Sequence, residues 1–186
     1  MSQLTDTWRK QAGLVPSSGE YAALNTVIFM GLLLIQFALG MAVNLFVNIT
    51  RHHAGAAATN VFPGVVDSIS WAIVHGPVVL AIHAAFGLAI LVGALHNLFW
   101  NHLWGTRGTV WATGTALLLV VAAGFNGGAF LTYDKDVYSL LMALFFGGAM
   151  LCYAITVYLL LRSPDTGRTR RSARSRSHEK GVLAHP

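Results

Sequence analysis

SISWAIVHGPVVLAIHAAFGLAILVGALHNLFWNHLWGT, residues 68–106, holds no formally charged side chain but four histidines, His75, His83, His96 and His102. About 20 mostly apolar residues suffice to carry a helix across a bilayer. Three further charge-free runs, 21–50, 108–133 and 137–161, have the same character. Together they predict an all-α fold, a bundle of four transmembrane helices. The expected organisation is an N-terminal cytoplasmic segment (1–20), a four-helix membrane domain (21–161) and a basic cytoplasmic tail (162–186).

Composition agrees. Hydrophobic residues make up 55% of the 186, charged residues only 10%, and mean hydropathy is +0.59. Four spans and their connections leave no room for a separate soluble domain. The first apolar run is too long, and the segment before it too polar, for a cleaved signal peptide. The lone Cys152 lies in the fourth run and has no partner for an intramolecular disulfide.

Basic residues set the expected orientation. Arg9 and Lys10 precede the first span, Arg107 lies between the second and third, and seven basic residues from Arg162 to Lys180 follow the fourth. Only Arg51 and Lys135 fall in the other two connections. Lys/Arg bias marks the cytoplasmic side, so both termini are expected there, with connections 51–67 and 134–136 outside. The tail has almost nothing to bury and is expected to be disordered. Its arginines suit anionic lipid headgroups, at about 1 kcal/mol per basic residue near the surface. Nucleic acid is not an expected partner, because no aromatic residues interleave with the arginines.

The second span is read as starting near Pro77, where a missing N–H is harmless, and ending near Phe99–Trp100. His75 then falls at the outer boundary, His96 near the inner one, and His83 roughly 7–8 Å outside the helix midpoint. Met41, Asn44, Asn126 and Met142 fall within a turn or two of the same depth. Polar groups at membrane depth tend to face a bundle interior and mark function. Glycines 40, 87, 124, 127, 128, 147 and 148 in the same region either permit close helix contact or leave space for a flat ligand. Methionine and asparagine also have plain roles there, as gap-filler and as interhelical hydrogen-bonder.

Imidazole and thioether are both axial ligands of haem iron. The pair His83 and His96 in one helix loosely resembles transmembrane b-type cytochromes, which stack two haems across the membrane. That resemblance implies haem b as cofactor and electron transfer, or anchoring of a redox complex, as function. Candidate cofactor-binding residues are His83, His75, His96, Met41, Met142 and Asn126. Thirteen residues leave the two rings about 140° apart around the helix, so a second ligand has to come from Met41, Met142, His75, a loop histidine or another protomer of a homo- or hetero-oligomer. A rival site gathers His52, His53, Asp67 and His75, with Asp134 and Asp136, at the outer face, where imidazole and carboxylate suit copper or zinc. The third reading is a non-catalytic accessory subunit whose polar layer packs against a larger partner.

The segments 75–84 (HGPVVLAIHA) and 124–134 (GFNGGAFLTYD) resemble motifs of small bacterial four-span membrane proteins, which implies a prokaryotic plasma membrane. Soluble-enzyme signatures are missing: no HExxH, no cysteine pair, and no phosphate-cradling loop, since Gly124-Phe-Asn-Gly-Gly lies mid-span with no Lys following. No span carries a carboxylate of the kind that proton-coupled transport commonly uses.

Overall fold

The computed structural model describes residues 18–162, helical apart from the connection 47–60 and three two-residue turns, and without a strand among the described residues. Its helices are α1 (Ser18–Phe46), α2 (Val61–His75), α3 (Val78–Trp104), α4 (Arg107–Tyr133) and α5 (Asp136–Arg162). The expected N-terminal cytoplasmic segment lies almost wholly, and the basic tail but for Arg162, outside these residues. Four of the five helices, all but α2, are long and apolar enough to cross a membrane. At 27 to 29 residues each is about 40 Å long, which exceeds a hydrocarbon core of about 30 Å.

The four long helices close into a ring: α1 contacts α3 and α5, and α4 contacts α3 and α5. The α4–α5 contact is the most extensive, for two local reasons. The connection is tight, because Asp134 caps α4 in a left-handed conformation (φ 49°) and α5 starts at Asp136. Small residues then let the backbones approach: a Cβ on Gly127 would lie 3.2 Å from the Met142 sulfur, and one on Gly148 3.2 Å from Leu119. Every long helix contributes to the central cluster of Phe29, Leu33, Ile90, Ala94, Ala116 and Tyr153. Phe29 meets Tyr153 edge to face at 5.1 Å and fits against Gly93, where any Cβ would lie 2.6 Å from the ring. Most outward positions are apolar, with Trp111 78% and Leu118 70% exposed. Such a surface suits lipid, which solvates apolar side chains without penalty.

Two expectations change. Residues 51–67 are not simply an external connection, since α2 occupies Val61–His75 and packs on α3 and α4. It ends at Gly76-Pro77, where both residues are extended (ψ 165° and 144°). Proline there lacks the N–H a continuing helix needs and its ring would strike the preceding turn. The second span also runs on to Trp104 rather than ending near Trp100. Its midpoint moves to Leu91, which places His83 eight residues (about 12 Å) and His96 five residues (about 7.5 Å) from the centre. His96 is therefore the deeper of the two, the reverse of the order read from sequence.

Candidate functional site

His83 sits at the crossing of α1 and α3, and the crossing has a near-symmetric design. On α1, Gln36 is followed four residues later by Gly40; on α3, His83 is followed four residues later by Gly87. Side chains in a helix lean toward its N-terminus, so the side chain at i+4 lies over the carbonyl of residue i. Glycine at i+4 bares that carbonyl. The helices run antiparallel, and each polar side chain enters the other's glycine notch. A Cβ on Gly40 would lie 2.9 Å from His83 Cε1, and one on Gly87 would lie 3.0 Å from Gln36 Nε2. Gln36 Nε2 donates to the His83 carbonyl at 3.1 Å, and the imidazole lies in reach of the Gln36 backbone. Depths agree: Gln36 and Gly87 lie about 6 Å from their helix midpoints, His83 and Gly40 about 12 Å.

This clamp leaves capacity unspent, because Gln36 Oε1 and His83 Nδ1 are both buried without a hydrogen-bond partner. Such atoms are costly in a low-dielectric interior. The sequence reading picked out His83 but missed Gln36. The available signal was the only glutamine within the first apolar run, four residues ahead of a glycine.

The other expected cofactor residues have contacts of their own or stand exposed. Asn126 Nδ2 donates to the Ala122 carbonyl of its own helix at 2.8 Å. Met142 lies against Gly127, and Met41 is exposed. His75 and His96 are exposed, the latter stacked on Trp100 with ring centroids 6.0 Å apart.

Residues of the expected outer metal site are dispersed in their contacts. His53 stacks on Trp71 at 4.3 Å, Asp134 pairs with Arg51 at 2.7 Å, and His52, Asp67 and His75 are exposed. Among the described residues no three His, Cys, Asp or Glu side chains come together to hold a metal ion.

A second polar layer, unanticipated from sequence, lies toward the end of the bundle where α1 begins and α5 ends. Thr26, Asn97, Asn101, Thr109, Thr113 and Thr156 are fully buried there, one or more from each long helix. Asn97 donates to Thr26 Oγ1 at 3.4 Å, and Asn101 to both the carbonyl and Oδ1 of Asn97. The threonines donate to carbonyls one turn back, a local bond that satisfies a hydroxyl in a helix. Asn101 Oδ1 and Tyr153 OH remain unpartnered. The four-residue spacing of Asn97 with Asn101 and of Thr109 with Thr113 was the readable signal.

No family model matches the chain, and no curated protein or solved structure matches it either. The likeness to transmembrane b-type cytochromes thus has no relative behind it, and its residues stand on their own geometry.

Proposed function

We propose that this chain is a non-catalytic subunit of a larger assembly in the plasma membrane, with both termini cytoplasmic and the basic tail against anionic headgroups. One observation carries the reading. His96 is exposed on the outside of the bundle about 7.5 Å from the helix midpoint, well inside a hydrocarbon half-thickness of about 15 Å. An imidazole facing acyl chains is costly, and intramembrane polar groups usually turn toward a protein partner or cavity. The clamp at His83 supports the same view, because it uses the other deep histidine in joining α1 to α3. A photo-crosslinking residue at Phe99 or Val92, both exposed on the His96 side of α3, is expected to give discrete protein adducts in native membranes. The same residue at Leu144 on α5 is expected to give lipid adducts. Lipid adducts alone at all three positions would overturn the proposal. For orientation, a cysteine at residues 54–60 is expected to react with an impermeant reagent in intact cells, and one at residues 168–177 is not; the inverse pattern refutes the charge-bias argument.

A b-type haem is the second reading, and the unpartnered Nδ1 of His83 favours it. The fit is partial: the ring edge is seated on Gly40, Met142 lies against Gly127, and Met41 and His75 are exposed. A second axial ligand would come from Met41 or from a partner subunit. Purified protein with a Soret band that His83→Ala abolishes supports this reading; a colourless protein eliminates it.

A further inference from the structure

We infer that α2 is not an external cap in water but a short, steeply inclined helix embedded in the lipid of the leaflet where α3 begins and α4 ends. The inference rests on the reading of the four long helices as membrane spans. At 15 residues, α2 is about 22 Å long, too short to cross. Its depth comes from what it touches. Phe62 stacks on Phe125 with ring centroids 6.4 Å apart, and Phe125 lies five residues, about 7.5 Å, beyond the α4 midpoint. Val65 and Ile69 meet Gly128, where an added Cβ would lie 2.6 Å and 2.9 Å from them. That glycine is about 12 Å from the midpoint, still inside a half-thickness of about 15 Å. Ser68 bonds Thr132, Oγ to Oγ1, at 3.0 Å, about 18 Å out and so at headgroup level. The N-terminal half of α2 thus dips below the surface while its middle rides at the boundary.

Its faces fit that position. Gly64, Val65, Ser68 and Ala72 are buried against the bundle. Phe62, Val66, Ile69 and Ile73, spaced by four, three and four, form a neighbouring stripe without a polar atom in any side chain. Phe62 is 70% exposed, continuous with the lipid-facing side of α4 through Phe125. Asp67 and Ser70 lie farther round and are exposed. From Phe62 to Ser68 the depth changes by about 10 Å over about 9 Å of helix, so α2 enters steeply, with its apolar stripe toward lipid and Asp67 near headgroup level.

The connection before α2 meets the requirement that non-helical backbone near the hydrocarbon be satisfied within the protein. Ala57 N–H donates to the Thr132 carbonyl at 2.8 Å, Ala58 N–H to Gly55 at 3.3 Å, and Tyr133 OH to the Ala58 carbonyl at 3.3 Å.

The test uses full-length protein carrying Cys152→Ser, reconstituted into phosphatidylcholine–phosphatidylglycerol vesicles. Single nitroxides are placed at Phe62→Cys, Val66→Cys, Asp67→Cys and Leu118→Cys. Collisions with oxygen, which concentrates in lipid, are compared with those of a water-soluble nickel chelate. Oxygen is expected to dominate at 62 and 66 and the chelate at 67. Chelate dominance at 62 and 66 would place the stripe in water, and low access to both reagents would place it under a protein; either result overturns the inference. Leu118, 70% exposed near the middle of α4, separates the failures. Chelate access there refutes the spans themselves, and oxygen access there confines the fault to α2. Val66 guards against local disruption at Phe62, because its side chain makes no ring contact.

Discussion

The α1–α3 clamp predicts a mutational effect that depends on its background. An added methyl at Gly87 lands 3.0 Å from Gln36 Nε2, tighter than such contacts usually are. The amide has to retreat from the His83 carbonyl it now reaches at 3.1 Å. An interhelical hydrogen bond in a membrane protein contributes about 0.6 kcal/mol on average and up to about 1.7. Glycine to alanine inside a helix works the other way, by about 0.5–1 kcal/mol. In the wild-type background the two nearly cancel, so Gly87→Ala alone is expected to lie between slight gain and a loss of about 1 kcal/mol. In a Gln36→Ala background there is no amide to displace, and Gly87→Ala is expected to stabilise by about 0.5–1 kcal/mol. The propensity term drops out of the double-mutant cycle, leaving a coupling of about 0.6–1.7 kcal/mol. Reversible unfolding in mixed detergent micelles measures it for all four proteins. Effects additive to within about 0.3–0.5 kcal/mol would refute the clamp, because the glycine and the amide would then be independent.

Gly55→Ala is expected to disrupt the connection that leads into α2. Gly55 has φ +86° and a Cβ there would collide with the Gly64 carbonyl oxygen, so left-handed strain of about 1–2 kcal/mol adds to a backbone clash; faster proteolysis between α1 and α2 is the readout. Ser68→Ala removes the buried bond to Thr132 and is expected to cost about 1 kcal/mol, whereas Ser70→Ala, whose exposed hydroxyl bonds its own helix, is expected to stay within about 0.5; equal losses in denaturant titrations would argue against the α2–α4 contact. The Arg51–Asp134 pair is exposed on both sides (81% and 54%), so Asp134→Asn is expected to change stability by less than about 1 kcal/mol, with the difference fading as salt rises.

Hydrophobic run length alone determined the all-helical class and the four long helices, because a bilayer-length apolar segment has no other stable backbone arrangement in lipid. Pro77 also marked a helix start, since proline fits a first helical turn far better than a helix interior. Run length could not divide residues 51–77 correctly. Val61–His75 contains Asp67, two serines and a proline, and its helix is held by Gly128 and Thr132 on α4, more than fifty residues away. Nor could local pattern locate partners for polar groups. His83 was visible as an imidazole at membrane depth, yet its meeting with Gln36 depends on two glycine notches facing each other across antiparallel helices. Asn97 and Thr26 lie 71 residues apart, and only the closing of the ring buries them together. Whether His96 faces the bundle or the lipid was likewise undetermined, because a helix apolar nearly all round carries no stripe to say which side packs inward. Contacts among α1, α3, α4 and α5 chose that side: they turned His83 toward Gly40 and left His96, most of a half-turn away, facing out.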